Sequence, residues 1–430
     1  MYGTQEASAL MRLIQRLKDL NPRRISILII VPVLVHLVIS TVVYFVAITG
    51  AYSAAFDSYA IGEFSPDAKL YLTQCESLTA QLRAKEFGSF VTTPAALHVK
   101  LYSVSYFLLS PLFGFTNLAI EPLNLVWFTL IVILVYRIGI LLFDRTAALI
   151  AAAIVMLWPS FLIHTTQPLK DPLFILALLA LVLIIAGSIE KSLSVPALIR
   201  NVCLAILAVL LASVARPNMR QLVLLMTLTG TLLVLIKRIR NTKALKTRIV
   251  FMVVMAALAT GVVAFLVTKH MPYSQRGCSG ILSDICVNRE GALASTEGLG
   301  SNIDTDVKFA SSMDVLKYVP RALEIGLFSP FPTMWFGPGT FVGRAGRLMA
   351  AGETLCLYLL YPFAIFGVWT QRKQLSIWFV VGAFLVAVLS LGLIMVNMGT
   401  VYRLRYGFMM LALILAAGGI SAAFKRYSSR

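Results

Sequence analysis

The sequence predicts an all-α, polytopic integral membrane protein, and three observations predict it. Of 430 residues, 59% are hydrophobic and only 13% are charged, against about 25% charged in soluble domains. The mean hydropathy is +0.86. Apolar runs close to twenty residues long recur along the chain, which is the length a helix needs to cross a hydrocarbon layer ~30 Å thick. A soluble enzyme, a disordered tail protein and a coiled coil are excluded. An outer-membrane barrel is excluded as well, because its strands would be short and alternating whereas these runs are continuous.

About ten spans follow, at roughly 25–50, 122–143, 147–163, 172–189, 200–215, 219–236, 249–268, 353–370, 375–396 and 406–423. The first run is too long for the ~7–15-residue core of a signal peptide and has no small-residue cleavage site, so it reads as a retained span. The stretch 101–120 is apolar too, but Pro111 and Gly114 interrupt it and Ser and Tyr enrich it. Charge decides its place. With ten spans, the basic segments Arg12–Arg24, Arg137–Arg145, Lys191–Arg200, Lys237–Arg248, Arg372–Lys373 and Lys425–Arg430 share one side. That side carries 20 Lys and Arg against four acids, and the other side 17 against 15. The formal charge of +18 therefore reads as the positive-inside bias, not as an affinity for nucleic acid. Counting 101–120 as a span would break the pattern, so it is expected as an interfacial or re-entrant helix on the outer face.

The expected organisation is a cytoplasmic amphipathic N-terminus (1–24) and a membrane domain (25–268) bearing an extracytoplasmic loop at 51–121. A second extracytoplasmic loop (269–352), C-terminal transmembrane helices (353–423) and a cytoplasmic tail (424–430) complete it. Both termini are expected in the cytoplasm. No repeat supports an inverted-repeat transporter.

Cys203 and Cys356 fall in spans and are expected to pack as small apolar residues. Cys278 and Cys286 bracket SGILSDI in the second outer loop, and so close a pair in an oxidising compartment suggests a local disulfide, with two free thiols as the alternative. The four histidines are scattered, and no phosphate loop, nucleophile elbow or dinucleotide fingerprint is present.

Charged groups at the outer edge of the membrane carry the functional signal, because burying them is costly. Asp67 lies in SPDAKLYLTQCESL, whose apolar pattern predicts a short amphipathic helix from Pro66 with Asp67 in its first turn. Its role is either helix-start electrostatics or proton acceptance at the water–lipid boundary. Lys170 and Asp171 open the fourth span. Asp171-Pro172 is a good helix start, whereas a lysine there opposes the helix dipole. Arg216 and Arg220 flank Pro217 in a short outer turn, and Arg403 and Arg405 precede the last span. Arginine donates bidentately to phosphate. So many outer-face cations suggest an anionic, lipid-linked ligand. The stretch KYVPRALEIGLFSPFPTMWFGPGTF is expected as an interfacial helix and an aromatic turn lying on the bilayer, either as an anchor or as a wall for an isoprenoid tail.

These features together resemble the GT-C superfamily of membrane glycosyltransferases, in particular bacterial relatives of the protein mannosyltransferase and aminoarabinose transferase group. The resemblance rests on a first span followed by a long outer loop with Asp67-x-x-x-Tyr71, then the outer helix PAALHVKLYSVSYFLLSPLFGFTNLA. Next comes the pattern P-S-x-x-x-x-(T/S)-x-x-x-L-(K/R)-(D/E) from Pro159 to Asp171. It is best over about 25–235. It implies a polyprenyl-phosphate- or -diphosphate-linked sugar donor and transfer on the extracytoplasmic face of the bacterial cytoplasmic membrane, to an envelope glycan, lipid or protein acceptor. Asp67 would be the catalytic carboxylate, with Tyr71, Lys170, Asp171, Arg216, Arg220, Arg403 and Arg405 around the substrate. Several relatives carry adjacent acids at the first motif where this chain has Ala68, which leaves a divalent metal open. Membrane lipids and other envelope polysaccharide biosynthesis proteins are the expected partners. Two other readings stand beside it: a Wzy-like repeat-unit polymerase or O-antigen ligase, and a lipid-linked glycan flippase.

Overall fold

The computed structural model describes residues 22–53, 55–191, 194–241, 283–296, 298, 300–309, 311–337 and 343–428. Among these residues the fold is all helical. Ten helices cover the first part: α1 Pro22–Ile48, α2 Pro66–Arg83, α3 Phe87–Thr92, α4 Leu97–Phe113, α5 Asn117–Leu142, α6 Arg145–Met156, α7 Pro159–Thr165, α8 Asp171–Glu190, α9 Val195–Ala215 and α10 Arg220–Asn241. Six follow: α11 Ser283–Ser295, α12 Ser312–Phe328, α13 Gly343–Thr370, α14 Leu375–Ile394, α15 Met398–Leu404 and α16 Tyr406–Ser428. Among the described residues eight segments are long and apolar enough to cross a membrane, and α6 with α7 make a bent pair (62°) that counts as a ninth if the two are one span. This is a multi-pass membrane architecture. The expected span at 249–268 and the N-terminal segment 1–21 lie outside the described residues.

The expected span 147–163 is thus two helices. Pro159 lacks an N–H and crowds the residue before it, so Trp158 turns extended (φ −72°, ψ 110°) and the axis swings. The expected outer helix at 101–120 is shorter than predicted. Gly114, at φ 65°, ends α4, and α5 begins three residues later, which draws Glu121 into the second span. α13 starts at Gly343, ten residues before the expected boundary at 353.

α16 is the central helix, buried along most of its length and packed by α5, α6, α8, α13 and α14. Two glycines allow the closest approach. A Cβ at Gly419 would collide with the Phe363 carbonyl of α13, and one at Gly367 with the Leu415 carbonyl of α16. Small residues let helix backbones touch where lipid supplies no hydrophobic drive. Cys203 and Cys356 are exposed on the bundle surface, contrary to the expected packing role. Their helices turn other faces inward, such as Ala208 and Ala212 of α9 and Leu357 and Ala364 of α13.

The polar residues sort to the two ends. At one end Asp144 accepts from Ser421 and Lys425 (2.9 Å), and Glu190 accepts from Lys237 (3.1 Å). At the other, α2–α4 form a helical layer whose buried face includes Leu72, Cys75, Leu78, Tyr102 and Tyr106. α12 was expected to lie flat on the bilayer, but it runs down the bundle antiparallel to α14, with the Ala322 backbone against Gly392 and the Val388 carbonyl against Gly326. The stripe Val315, Tyr318, Ala322 and Ile325, at 3–4-residue spacing, is buried there.

Candidate functional site

The site forms where α2, α8, α9 and α15 meet at the end of the bundle opposite Asp144. Pro66 opens α2 and puts Asp67 in its first turn. The loop leading into it is held from below. Gln167 Oε1 accepts from the Gly62 N–H (2.9 Å) and its Nε2 donates to the Ala60 carbonyl (3.2 Å). Asp57 closes an Asx-type turn on the N–H groups of Tyr59 and Ile61 (3.0 and 2.9 Å). At the far end of the sequence, Asn397 caps α15 by accepting from the Thr400 N–H (3.1 Å), and Arg403 projects from the last turn of α15.

Arg403 joins the two ends of the chain. Its Nη2 donates to Asp67 Oδ2 (2.7 Å) and its Nη1 to Ser65 Oγ (3.1 Å), while Nε lies 3.8 Å from Asp171 Oδ2. Asp171 also pairs with Arg216, whose guanidinium stands 5.7 Å from the Phe174 ring centre. Lys170 Nζ stands 5.7 Å above the Tyr71 ring, and Tyr71 meets His98 edge-on at 4.5 Å. Asp67, Tyr71, Lys170, Asp171, Arg216 and Arg403, scattered over more than 330 residues of sequence, are therefore one cluster.

Three cations face two carboxylates, so the cluster favours anions. Burial alone would raise the Asp67 carboxyl, but the charge and hydrogen bond of Arg403, with Lys170 and Arg216 behind it, hold it below the usual carboxylate range. Burial, and then the charge of Arg403, push Arg216 down to about 9. Burial, with Lys170 and Arg216, brings His98 to about 3, so its imidazole is neutral at physiological pH. The donor set suits a divalent cation poorly, since both carboxylates are already held by guanidinium groups. Among the described residues no group of three or more His, Cys, Asp or Glu is arranged to hold a metal.

Of the two remaining arginines, one departs from expectation. Arg405 is fully buried and turns away from the cluster. Its Nη1 donates to the carbonyls of Leu327 (3.2 Å) and Gly326 (3.4 Å) at the C-terminus of α12. Arg220 begins α10, just past the turn Pro217–Met219 that follows Arg216. Cys286 is disulfide-bonded, and its expected partner Cys278 lies outside the described residues.

Sequence reasoning missed a second polar system beside the first. Glu353 accepts from the Ser160 N–H (2.7 Å), the Ser160 hydroxyl (2.6 Å) and the Tyr402 hydroxyl, which ties α13 to the α6–α7 bend and to the residue preceding Arg403. His36 Nδ1 lies 2.7 Å from Glu121 Oε1, and its Nε2 2.9 Å from Thr165 Oγ. A signal for both was present, since an acid inside an apolar run is expensive in a membrane. No family model matches the chain, and no curated protein or solved structure matches it significantly.

Proposed function

We propose that the protein is a membrane glycosyltransferase of the bacterial cytoplasmic membrane, with both termini cytoplasmic, that moves a sugar from a polyprenyl-phosphate donor to an envelope acceptor on the extracytoplasmic face. The observation that carries this reading is the cluster of Asp67 with Arg403, Arg216 and Lys170 at one end of a helical membrane bundle. The reaction needs a carboxylate to take the acceptor hydroxyl proton and cations where the leaving phosphate develops charge. The acceptor oxygen bonds to the anomeric carbon, the bond from that carbon to the phosphate oxygen breaks, and its electron pair stays on the phosphate. Lys170 and Arg403 are positioned to hold that charge, and Arg216 fixes Asp171 against them. The test is transfer from a labelled polyprenyl-linked sugar by purified protein. Asp67→Asn keeps the shape and removes proton acceptance, so transfer should fall ~10²–10⁴-fold. Arg403→Lys keeps the charge without the fork and should chiefly weaken donor binding. Glu86→Gln, in the same outer loop, should be nearly silent. Wild-type transfer by Asp67→Asn would remove Asp67 as the base.

The buried His36–Glu121 pair favours a second reading, a flippase for a lipid-linked glycan, because ionisable pairs within spans accompany transport. Catalysed transfer in detergent solution, where there are no compartments to move between, separates the two.

A further inference from the structure

The side-on edge of an arginine fork, Nε with Nη2, is one of the two edges that take a carboxylate or phosphate bidentately, and both use Nη2. In Arg403 the side-on edge is straddled: Asp67 holds Nη2 at 2.7 Å, and Asp171 stands 3.8 Å from Nε. Among the described residues nothing accepts a hydrogen bond from Nε. The two carboxylates are not equally fixed. Asp171 is buried at the start of α8 and committed to Arg216. The Asp67 side chain is 41% exposed, in the first turn of α2. An anion arriving from outside therefore meets Asp67 first, and it can take the fork only where Asp67 now sits.

Resting on the reading above, we propose that the Asp67 carboxylate is the resident occupant of the phosphate site, that donor phosphate displaces it from Arg403, and that this exchange frees Asp67 to act on the acceptor. Substrate order follows: donor first, acceptor second. The exchange resolves a conflict in the unliganded site, where the candidate base is bound to a guanidinium and has little affinity for a proton. Once phosphate neutralises Arg403, Asp67 regains proton affinity beside the anomeric carbon. The proton balance is simple. The acceptor O–H gives its proton to Asp67 Oδ, and the phosphate keeps the electron pair of the broken bond against Arg403 and Lys170. Lys170 has no carboxylate partner among the described residues and lies over Tyr71, so it needs no release.

The test is direct binding of polyprenyl phosphate, which carries no sugar to transfer, to the full-length protein in nanodiscs. Asp67→Asn should bind about tenfold more tightly than wild type, or ~1.4 kcal/mol, although it is the variant that loses transfer. The tightening should vanish in an Arg403→Gln background, because the competition is for that one guanidinium. If Arg403→Gln does not fold, as judged by size exclusion and thermal unfolding, Arg403→Lys replaces it, and the tightening should shrink by at least about threefold. Unchanged or weaker binding by Asp67→Asn overturns the proposal. So does tightening of equal size without Arg403, which would be a general effect of removing one negative charge. Inorganic phosphate and phosphatidylglycerol are run in parallel. The same tightening with inorganic phosphate supports exchange for the phosphate group alone, and tightening confined to polyprenyl phosphate supports exchange for a lipid-borne one. Absence of transfer to every acceptor, with this cycle intact, would remove the transferase reading and leave the exchange standing.

Discussion

In the proposed reaction Asp67 would join a charge pair to a proton-transfer role, and the two make opposite demands. Its folded-state affinity for protons is depressed by Arg403, so the pair stabilises the fold above the unfolded carboxylate value of about 3.9 and the contribution disappears as pH falls through the lower folded value. The charged groups facing it are Arg403, Lys170 and Arg216. His98, at about 3, adds no titration near neutrality. The profile of kcat/KM reports the free enzyme and that of kcat the bound complex. The acid limb due to Asp67 should therefore lie below about pH 4 in kcat/KM and at higher pH in kcat, where phosphate has taken Arg403. Coincident limbs would contradict displacement. The residues of this site were legible because a charge at the membrane edge is expensive, and because Lys170 opposes the dipole of the helix it precedes. Their distances were not, since Arg403 and Asp67 stand 336 positions apart.

At the scale of single elements, α12 shows why two neighbouring arginines diverge. It ends part-way down α14, and a helix end buried this way needs donors. Arg405 supplies them to Gly326 and Leu327, and the Tyr361 hydroxyl donates to the Leu327 carbonyl as well (2.7 Å). The cation also complements the negative end of the helix dipole. Arg405→Leu should thus destabilise the protein by about 1–3 kcal/mol, the cost of buried acceptors left without donors. A lower unfolding temperature in detergent would register this, with polyprenyl-phosphate binding by the folded fraction unchanged. A variant as stable as wild type that no longer binds the lipid would return Arg405 to the substrate site. The sequence grouped Arg403 and Arg405 by type and spacing. Their separation depends on α12 descending beside α14, which no local pattern encodes.

For the molecule as a whole, two groups of ion pairs mark opposite ends: Asp144, Glu190, Lys237 and Lys425 at one, and Asp67, Asp171, Arg216 and Arg403 at the other. Counting Lys and Arg along the chain predicts cytoplasmic termini. Reporter fusions at about Ser192 and Asn241 should read cytoplasmic, and one at Gly300 extracytoplasmic. A cytoplasmic signal at Gly300 would overturn this topology and count against the proposed transfer on the extracytoplasmic face.

Composition and the period of the apolar runs sufficed to determine a helical bundle in a bilayer, because each span must satisfy its own backbone and so writes its length into the local sequence. The outer-edge charges were visible for a related reason: lipid makes an unneeded charge expensive. Only the tertiary structure decided which charges meet. The Asp67–Arg403 bond, the hold of Glu353 on Ser160 and Tyr402, and the His36–Glu121 pair each join distant segments. Such pairings depend on helix rotation and depth, which are set by close contacts such as Gly419 on Phe363 and Gly392 on Ala322. Those contacts arise from the fit of whole helices, and no stretch of sequence read alone contains them.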